Sequence, residues 1–274
     1  MAKPQDCHAK DKAMNMMTSG SFRIAKHAEI GGGYRLLVFE APRMAAAVKP
    51  GQFVHVRVPA LEESALRRPF SVFDAEDGCI SVLYKTVGRG TAALNCAAEG
   101  TMLEVEGPLG KGFPETCSGS ALLVGGGYGV APLHLLAKRL VGKVDDVRLF
   151  VGGRTKGDLL ALDKFEAIGV KVFAATNDGS FGVKGFAVVP LDAELERIRR
   201  EGGSFSLFAC GPDGLLKAVS ERAVSLGAPG WISTDRHMVC GVGACYACIQ
   251  RTMSGNARCC IDGPVFAAKD LVWA

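Results

Sequence analysis

The densest chemistry in the sequence lies near its C-terminus, in MVCGVGACYACIQ followed by RCCIDGPVF. Cys240, Cys245 and Cys248 stand as C-x4-C-x2-C, and a fourth thiol follows at Cys259 or Cys260. That is the spacing of a plant-type 2Fe–2S site, where two irons take two protein sulfurs each. Gly241 and Gly243 let such a loop wrap tightly, and their backbone N–H groups can donate to sulfur. A four-cysteine zinc site draws on the same residue type. Zinc ribbons favour two short paired knuckles, however, and here three candidate ligands share one loop. A Rieske centre needs two histidines, and only His237 is close in sequence. Spacing alone leaves Cys259 and Cys260 equally open as the fourth ligand.

Two glycine-rich segments form a second kind of site. ALLVGGGYGVAPLH runs from an apolar strand into a helix, so Gly125, Gly126, Gly127 and Gly129 leave backbone amides free to face a phosphate. It lacks the GxGxxG dinucleotide fingerprint, and a tight strand-to-helix turn is the plainer alternative. ACGPDGLL, with Cys210 and Gly211, ends another strand of the same pattern. Ligands of a parallel sheet gather at the carboxyl ends of its strands, so both loops belong to one edge. Cys210 is the candidate catalytic residue there, placed to approach a bound ring; a buried structural cysteine is the alternative. Earlier in the chain, RRPFSV offers Arg68 for a phosphate and Ser71 for a planar ring nitrogen. LYKTVGRGT follows, where Gly88, Gly90 and Thr91 can serve a pyrophosphate.

The elements that must carry these residues change character along the chain. From Ser21 to Cys117, FRIAKHAEI, YRLLVFEA, QFVHVRVP, CISVLYKTV and TMLEVEGPLG read as short strands of a small barrel or sandwich. TAALNCAAEG reads as a short helix within them. From 118 to 227, strands ALLVGG, VRLFVGG, VKVFAAT and FSLFACG alternate with helical GVAPLHLLAKRL, LALDKFEAIG and GLLKAVSERAVSLG, the signature of a parallel α/β domain. Residues 228–274 show little regular pattern and read as a module held by its cysteines. Residues 1–20 read as a flexible tail; they mix Lys with Asp and have no apolar core, so they do not form a secretory signal.

Composition sets the outer limits. The chain has 274 residues, 48% hydrophobic and 22% charged, which suits roughly two domains and excludes a largely disordered chain. A net charge of +4 is too balanced for nucleic acid as main partner. No apolar run approaches the length of a membrane span. Five of the ten cysteines fall between Cys240 and Cys260. One dense cluster without a signal points to a metal or redox site in a cytoplasmic protein, not to a disulfide framework.

Taken together, RxxS, GxGT, the glycine loop and CGP resemble the ferredoxin–NADP reductase superfamily. GVGACYAC and CxDGPVF narrow the resemblance to the electron-transfer subunits of B-type, two-subunit dihydroorotate dehydrogenase, from about Ser21 to Trp273. The fold this implies is an FAD-binding β-barrel (21–117), a parallel α/β NAD-binding domain (118–227) and a small 2Fe–2S module (228–274). The resemblance implies FAD on Arg68, Pro69, Phe70 and Ser71, on Leu83, Tyr84 and Lys85 beside the ring, and on Gly90 and Thr91 at the pyrophosphate. Thr176, Asp178 and Gly179 of TNDGSFGVKG line the nucleotide side with the glycine loops. The implied cluster ligands are Cys240, Cys245, Cys248 and Cys260, because the family cysteine stands two residues before DGPVF.

The resemblance also implies a function. An FMN-containing catalytic subunit oxidises dihydroorotate, and electrons pass through the cluster and FAD to NAD+ in pyrimidine synthesis, within a hetero-oligomer of two copies of each subunit. The partner docks at the cluster loop, and deleting the C-terminal module leaves flavin reduction by NADH intact. Such a chain needs no acid–base dyad, and none is evident; His55 and His134 read as structural. The rivals are a related ferredoxin- or sulfide-linked flavin reductase subunit, and a zinc-stabilised binding module. Arg154 and Lys156 would suit a 2′-phosphate and hence NADPH, or form a solvated loop; the resemblance favours NAD.

Overall fold

The computed structural model describes residues 17–59 and 66–273. Most of the predicted tail, up to residue 16, lies outside them, and the first strand starts at Thr18, inside the stretch read as tail. The strands β1 (Thr18–Gly31), β2 (Tyr34–Glu40), β3 (Phe53–Arg57), β4 (Arg68–Glu76), β5 (Cys79–Lys85) and β6 (Met102–Leu109) close a barrel in the order β1-β2-β5-β4-β3-β6. Period-two alternation sends Val54 and Val56 of β3 into the barrel with Leu37, Val72, Val82 and Val105. Burying each such side chain contributes about 1.5–3 kcal/mol. Two short helices complete it: α1 (Pro42–Ala47) buries Met44 and α2 (Arg89–Asn95) buries Leu94 against the same core.

The second unit runs β7 (Ser120–Gly126), α3 (Ala131–Leu140), β8 (Val147–Gly153), α4 (Leu162–Ala167), β9 (Lys171–Thr176), β10 (Val183–Lys184), α5 (Val188–Arg200), β11 (Phe205–Cys210), α6 (Asp213–Ser225) and β12 (Gly230–Ser233). A tight 3-10 turn over 127–130 joins β7 to α3. Helix α5 escapes the periodicity reading because only Leu191, Leu195 and Ile198 are buried along an otherwise charged segment. The sheet order is β10-β9-β8-β7-β11-β12, with every neighbouring pair parallel. The chain moves outward from β7 through β8 and β9, then returns to the other side of β7 as β11. The topological switch point therefore lies between the carboxyl ends of β7 and β11.

The last segment is more regular than its sequence suggests. β13 (Ile249–Thr252) and β14 (Gly255–Arg258) form a hairpin, and β15 (Val265–Ala267) joins the large sheet antiparallel to β12. Val265 packs into the core on one face of that sheet; Ala268 and Leu271 pack into the core on the other. This corrects the expectation that the C-terminal module can be deleted with the flavin half left intact. Removing residues 228–274 would take away β12 and β15 together, open both cores and leave β11 as a bare sheet edge. The same segment reaches the barrel, where Lys111 donates its N–H to the Gly263 carbonyl.

Candidate functional site

The cysteine loop is shaped by its glycines. Gly241 and Gly243 have φ of +69° and +80°, a region that favours glycine. Burial raises the Cys240 pKa, but N–H groups of Cys245, Val242 and Ala244 and the Cys245 thiol outweigh it and bring it down to about 6. Cys248 and Cys260 form a second pair: the Cys260 N–H lies 3.4 Å from the Cys248 Sγ, and both side chains are buried. Burial, reinforced by Cys248, pushes the Cys260 thiol up to about 12. Two pairs of thiols match a centre in which each of two irons takes two sulfurs. The structure also separates the neighbouring cysteines. Cys259 sits with its sulfur 3.2 Å from the Thr234 hydroxyl, whereas Cys260 faces Cys248.

On the barrel, β4 begins at Arg68, whose guanidinium lies against Gly90 at the start of α2. A Cβ on Gly90 would come within 2.7 Å of the Arg68 Nε. The Thr91 hydroxyl accepts the N–H groups of Val87 (2.9 Å) and Gly88 (3.1 Å), which fixes the turn entering that helix. Register places Ser71 opposite Phe53 and Pro69 opposite His55, so these four share the outer face of β3 and β4. Phe70 points into the barrel, 5.6 Å from the Tyr84 ring. The Tyr84 hydroxyl is 2.7 Å from the His27 Nε2. Leu83 packs with Ala131, the first residue of α3, at the seam between the two units. Lys85 reaches across that seam, its Nζ 4.5 Å above the Tyr34 ring and 3.8 Å from Asp158.

At the switch point the two glycine loops interlock. Gly127 has φ of +54° and Gly211 of +155°. A Cβ on Gly129 would press on the Cys210 carbonyl and stand 2.7 Å from the Gly211 Cα. Gly125 pairs with Cys210 in register, and a Cβ on Gly126 would sit 2.9 Å from Pro212. Thr176 is buried, and its hydroxyl donates to the Phe181 carbonyl (2.8 Å) and accepts the Phe181 N–H (3.0 Å). Asp178 accepts the Ser180 hydroxyl (2.7 Å) and N–H (2.9 Å), bonds that hold its pKa below the usual range. Both residues thus shape the loop after β9. Arg154 is exposed near Asp158, and the Lys156 Nζ lies 5.4 Å over the Phe181 ring.

Comparison with known proteins matches these three places. The oxidoreductase FAD-binding domain family covers residues 21–113. The family described as the iron-sulfur cluster binding domain of dihydroorotate dehydrogenase B covers 235–272. Over 233 residues the chain is 40% identical to the dihydroorotate dehydrogenase B (NAD(+)) electron transfer subunit of Geobacillus thermodenitrificans, covering 82% of this chain and 87% of that one. The chain belongs to the dihydroorotate dehydrogenase B electron transfer subunits. The subunit of the same name from Shouchella clausii is 38% identical over 92% of this chain and 98% of its own. Among solved structures, one reported as the NADH-dependent reduced ferredoxin-NADP oxidoreductase superposes with a TM-score of 0.80 at 32% identity. That match covers 92% of this chain and 90% of the other.

The residues fit the groups this dihydroorotate dehydrogenase B membership implies. Glycines at Gly90, Gly126, Gly129 and Gly211 keep backbone open where a Cβ would intrude, and the thiols stand in pairs. Sequence reasoning passes over two features of this subunit's cluster region. Phe53 packs with Cys248, Cys259 and Cys260, and His55 abuts Gly241. Both lie about 200 residues from the cysteines in sequence, so no local spacing links them; a histidine inside the apolar strand FVHV is the one local signal. His134 suits a structural role, stacked 4.3 Å from Phe73 and edge-on to Phe165.

Burial pushes the Cys210 thiol up to about 12, so it is neutral at physiological pH. Above pH 9 the unfolded thiol loses its proton while the folded one keeps it. The folded state then binds more protons, and its stability falls as pH rises. Between pH 9 and 11 the wild-type chain should lose about 1.4 kcal/mol per pH unit more than Cys210→Ala. Denaturant unfolding across that range measures the difference; parallel curves would place the thiol outside the buried switch point.

Proposed function

We propose that this chain carries electrons from a catalytic partner to NAD+, the partner being an FMN subunit that oxidises dihydroorotate to orotate in pyrimidine synthesis. The observation that carries this reading is the convergence of three sites on three neighbouring barrel strands, β3, β4 and β5. The outer face of β3 and β4 holds Pro69 and Ser71 beside Phe53 and His55, and the latter two touch the cysteine module. The end of β5 meets the α/β unit at the glycine turn through Leu83 and Ala131. When bound, FAD exchanges a hydride with nicotinamide and passes electrons singly, and a 2Fe–2S cluster carries one at a time.

The chain's own residues bind and orient these groups. Arg68 supplies charge to the flavin phosphates beside the Gly88–Thr91 turn, and Ser71 offers its hydroxyl to the ring edge. Phe70 and Tyr84 set the strands behind that ring from within the barrel. Gly125, Gly126, Gly127 and Gly129 present backbone to the nucleotide, with Gly211 keeping the second loop clear. Cys210, a neutral buried thiol, packs beneath the nicotinamide position and excludes water. Cys240, Cys245, Cys248 and Cys260 hold the cluster. Val242 and Tyr246, 50% and 62% exposed on the same loop, form the apolar patch where the partner docks. Two copies of each subunit make the assembly. No helix among the described residues is long and apolar enough to cross a membrane. The nine described cysteines are all free, which suits the reducing cytoplasm.

Anaerobic titration of the purified chain with NADH, followed by its visible spectrum, tests the reading. The expected result is bleaching of a flavin band and of a broader cluster band. Adding the FMN subunit and dihydroorotate should then couple orotate formation to NAD+ reduction. A colourless protein that takes up neither FAD nor iron and ignores NADH would overturn it.

A further inference from the structure

His55 is only 1% exposed, and neither ring nitrogen has a hydrogen-bond partner. Buried polar groups are ordinarily satisfied, so an imidazole with both nitrogens orphaned calls for an explanation. Its surroundings supply one. The ring projects from the outer face of β3, directly across from Pro69 of the RPFS segment. Its Nδ1–Cε1 edge faces the cysteine loop: a Cβ on Gly241 would stand 2.7 Å from each of those atoms. Gly241 follows Cys240 and has φ of +69°. Glycine there satisfies the loop's backbone and leaves the space the imidazole fills. Phe53, edge-on to His55 at 5.6 Å, belongs to the same buried cluster as Cys248, Cys259 and Cys260.

We propose that His55 donates its Nδ1–H to the sulfur shell of the cluster, serving as a positioning residue that sets the cluster's reduction potential from the strand paired with the flavin-motif strand. A neutral imidazole has one N–H to give, and the protein atoms around this edge offer no acceptor. Sulfur bound to iron is the acceptor that the loop would bring to it. A hydrogen bond to cluster sulfur favours the reduced, more negative form and raises the potential. Sitting on β3 opposite Pro69 of β4, the residue thereby ties the cluster's driving force to the neighbour of the strand that bears the flavin motif. The proposal rests on the cluster assignment made above.

The test is a redox titration of the full, cofactor-loaded chain, with the cluster followed by electron paramagnetic resonance and the flavin by absorbance. His55→Phe removes the donor and should shift the cluster's reduction equilibrium about tenfold toward the oxidised form, equivalent to about 59 mV for one electron. The flavin potential should stay in place. His55→Asn, whose amide nitrogen can stand where Nδ1 stands, should keep the wild-type cluster potential, and His55→Gln should behave like His55→Phe. If the Phe variant fails to fold, the Asn and Gln pair carries the same comparison. An unchanged cluster potential in the Phe and Gln variants would overturn the proposal, as would a shift confined to the flavin. A wild-type chain with no cluster resonance would instead overturn the cluster assignment, a separate failure.

Discussion

Cys245→Ala is expected to yield a chain that still reduces its flavin with NADH but passes nothing to a partner. Cys245 is exposed on its loop, whereas Cys248 and Cys260 are buried among Phe53 and Leu109. Loss of the Cys245 thiol therefore removes a proposed cluster ligand without emptying a core. Changes beyond the ligands of metal sites typically cost 10–100-fold in affinity or activity. A missing ligand should exceed that, so iron content and dihydroorotate-linked turnover should fall by more than about 100-fold. Iron analysis, the visible spectrum and the NADH–flavin half-reaction, measured on one preparation, separate the two halves. Normal orotate-linked turnover in this variant would show that electrons take another route.

Gly129→Ala should do the converse. The added methyl would press on the Cys210 carbonyl and the Gly211 Cα, all backbone at the switch point. Backbone held by the β7–β11 ladder cannot yield as a flexible side chain would. The two loops must part, and a displacement of about 1 Å at a reacting geometry can cost about 100-fold in rate. Flavin and iron should be retained while kcat/KM for NADH falls by about that factor. Stopped-flow reduction of the flavin at several NADH concentrations measures it. Wild-type kinetics in Gly129→Ala would remove the nucleotide from this edge.

What the sequence shows and what it hides follow the range of the interactions. Cys240, Cys245 and Cys248 lie within one loop, so their spacing is itself the geometry. The strand-to-helix glycine turns are likewise local, and the alternation of strands and helices in the second unit follows from hydrophobic period. Cys259 and Cys260 cannot be told apart by spacing, because the distinction depends on Thr234 and Cys248, each brought in by folding. His55 is invisible as a site residue for the same reason: its meaning comes from Gly241, a contact made by packing. Strand β15 is too short for a periodic signal, and Val265, Ala268 and Leu271 show their purpose only against β12 and α6.

The stretch from Gly263 to Val265 has one more consequence. Within three residues it binds Lys111 of the barrel connection, accepts the Thr234 N–H at Pro264, and inserts Val265 into the sheet's core. Val265 also lies against Gly51, and Pro264 against Gly110, positions where a Cβ would come within 2.9 Å and 2.7 Å of them. Barrel, sheet and cysteine module thus all meet at this one short stretch. Many redox chains rely on a tethered carrier that swings between donor and acceptor, and their pace is set by that search. A chain whose described parts are joined in this way needs no swinging carrier: its transfer interval is set by the separation of its sites, as in a solid-state junction.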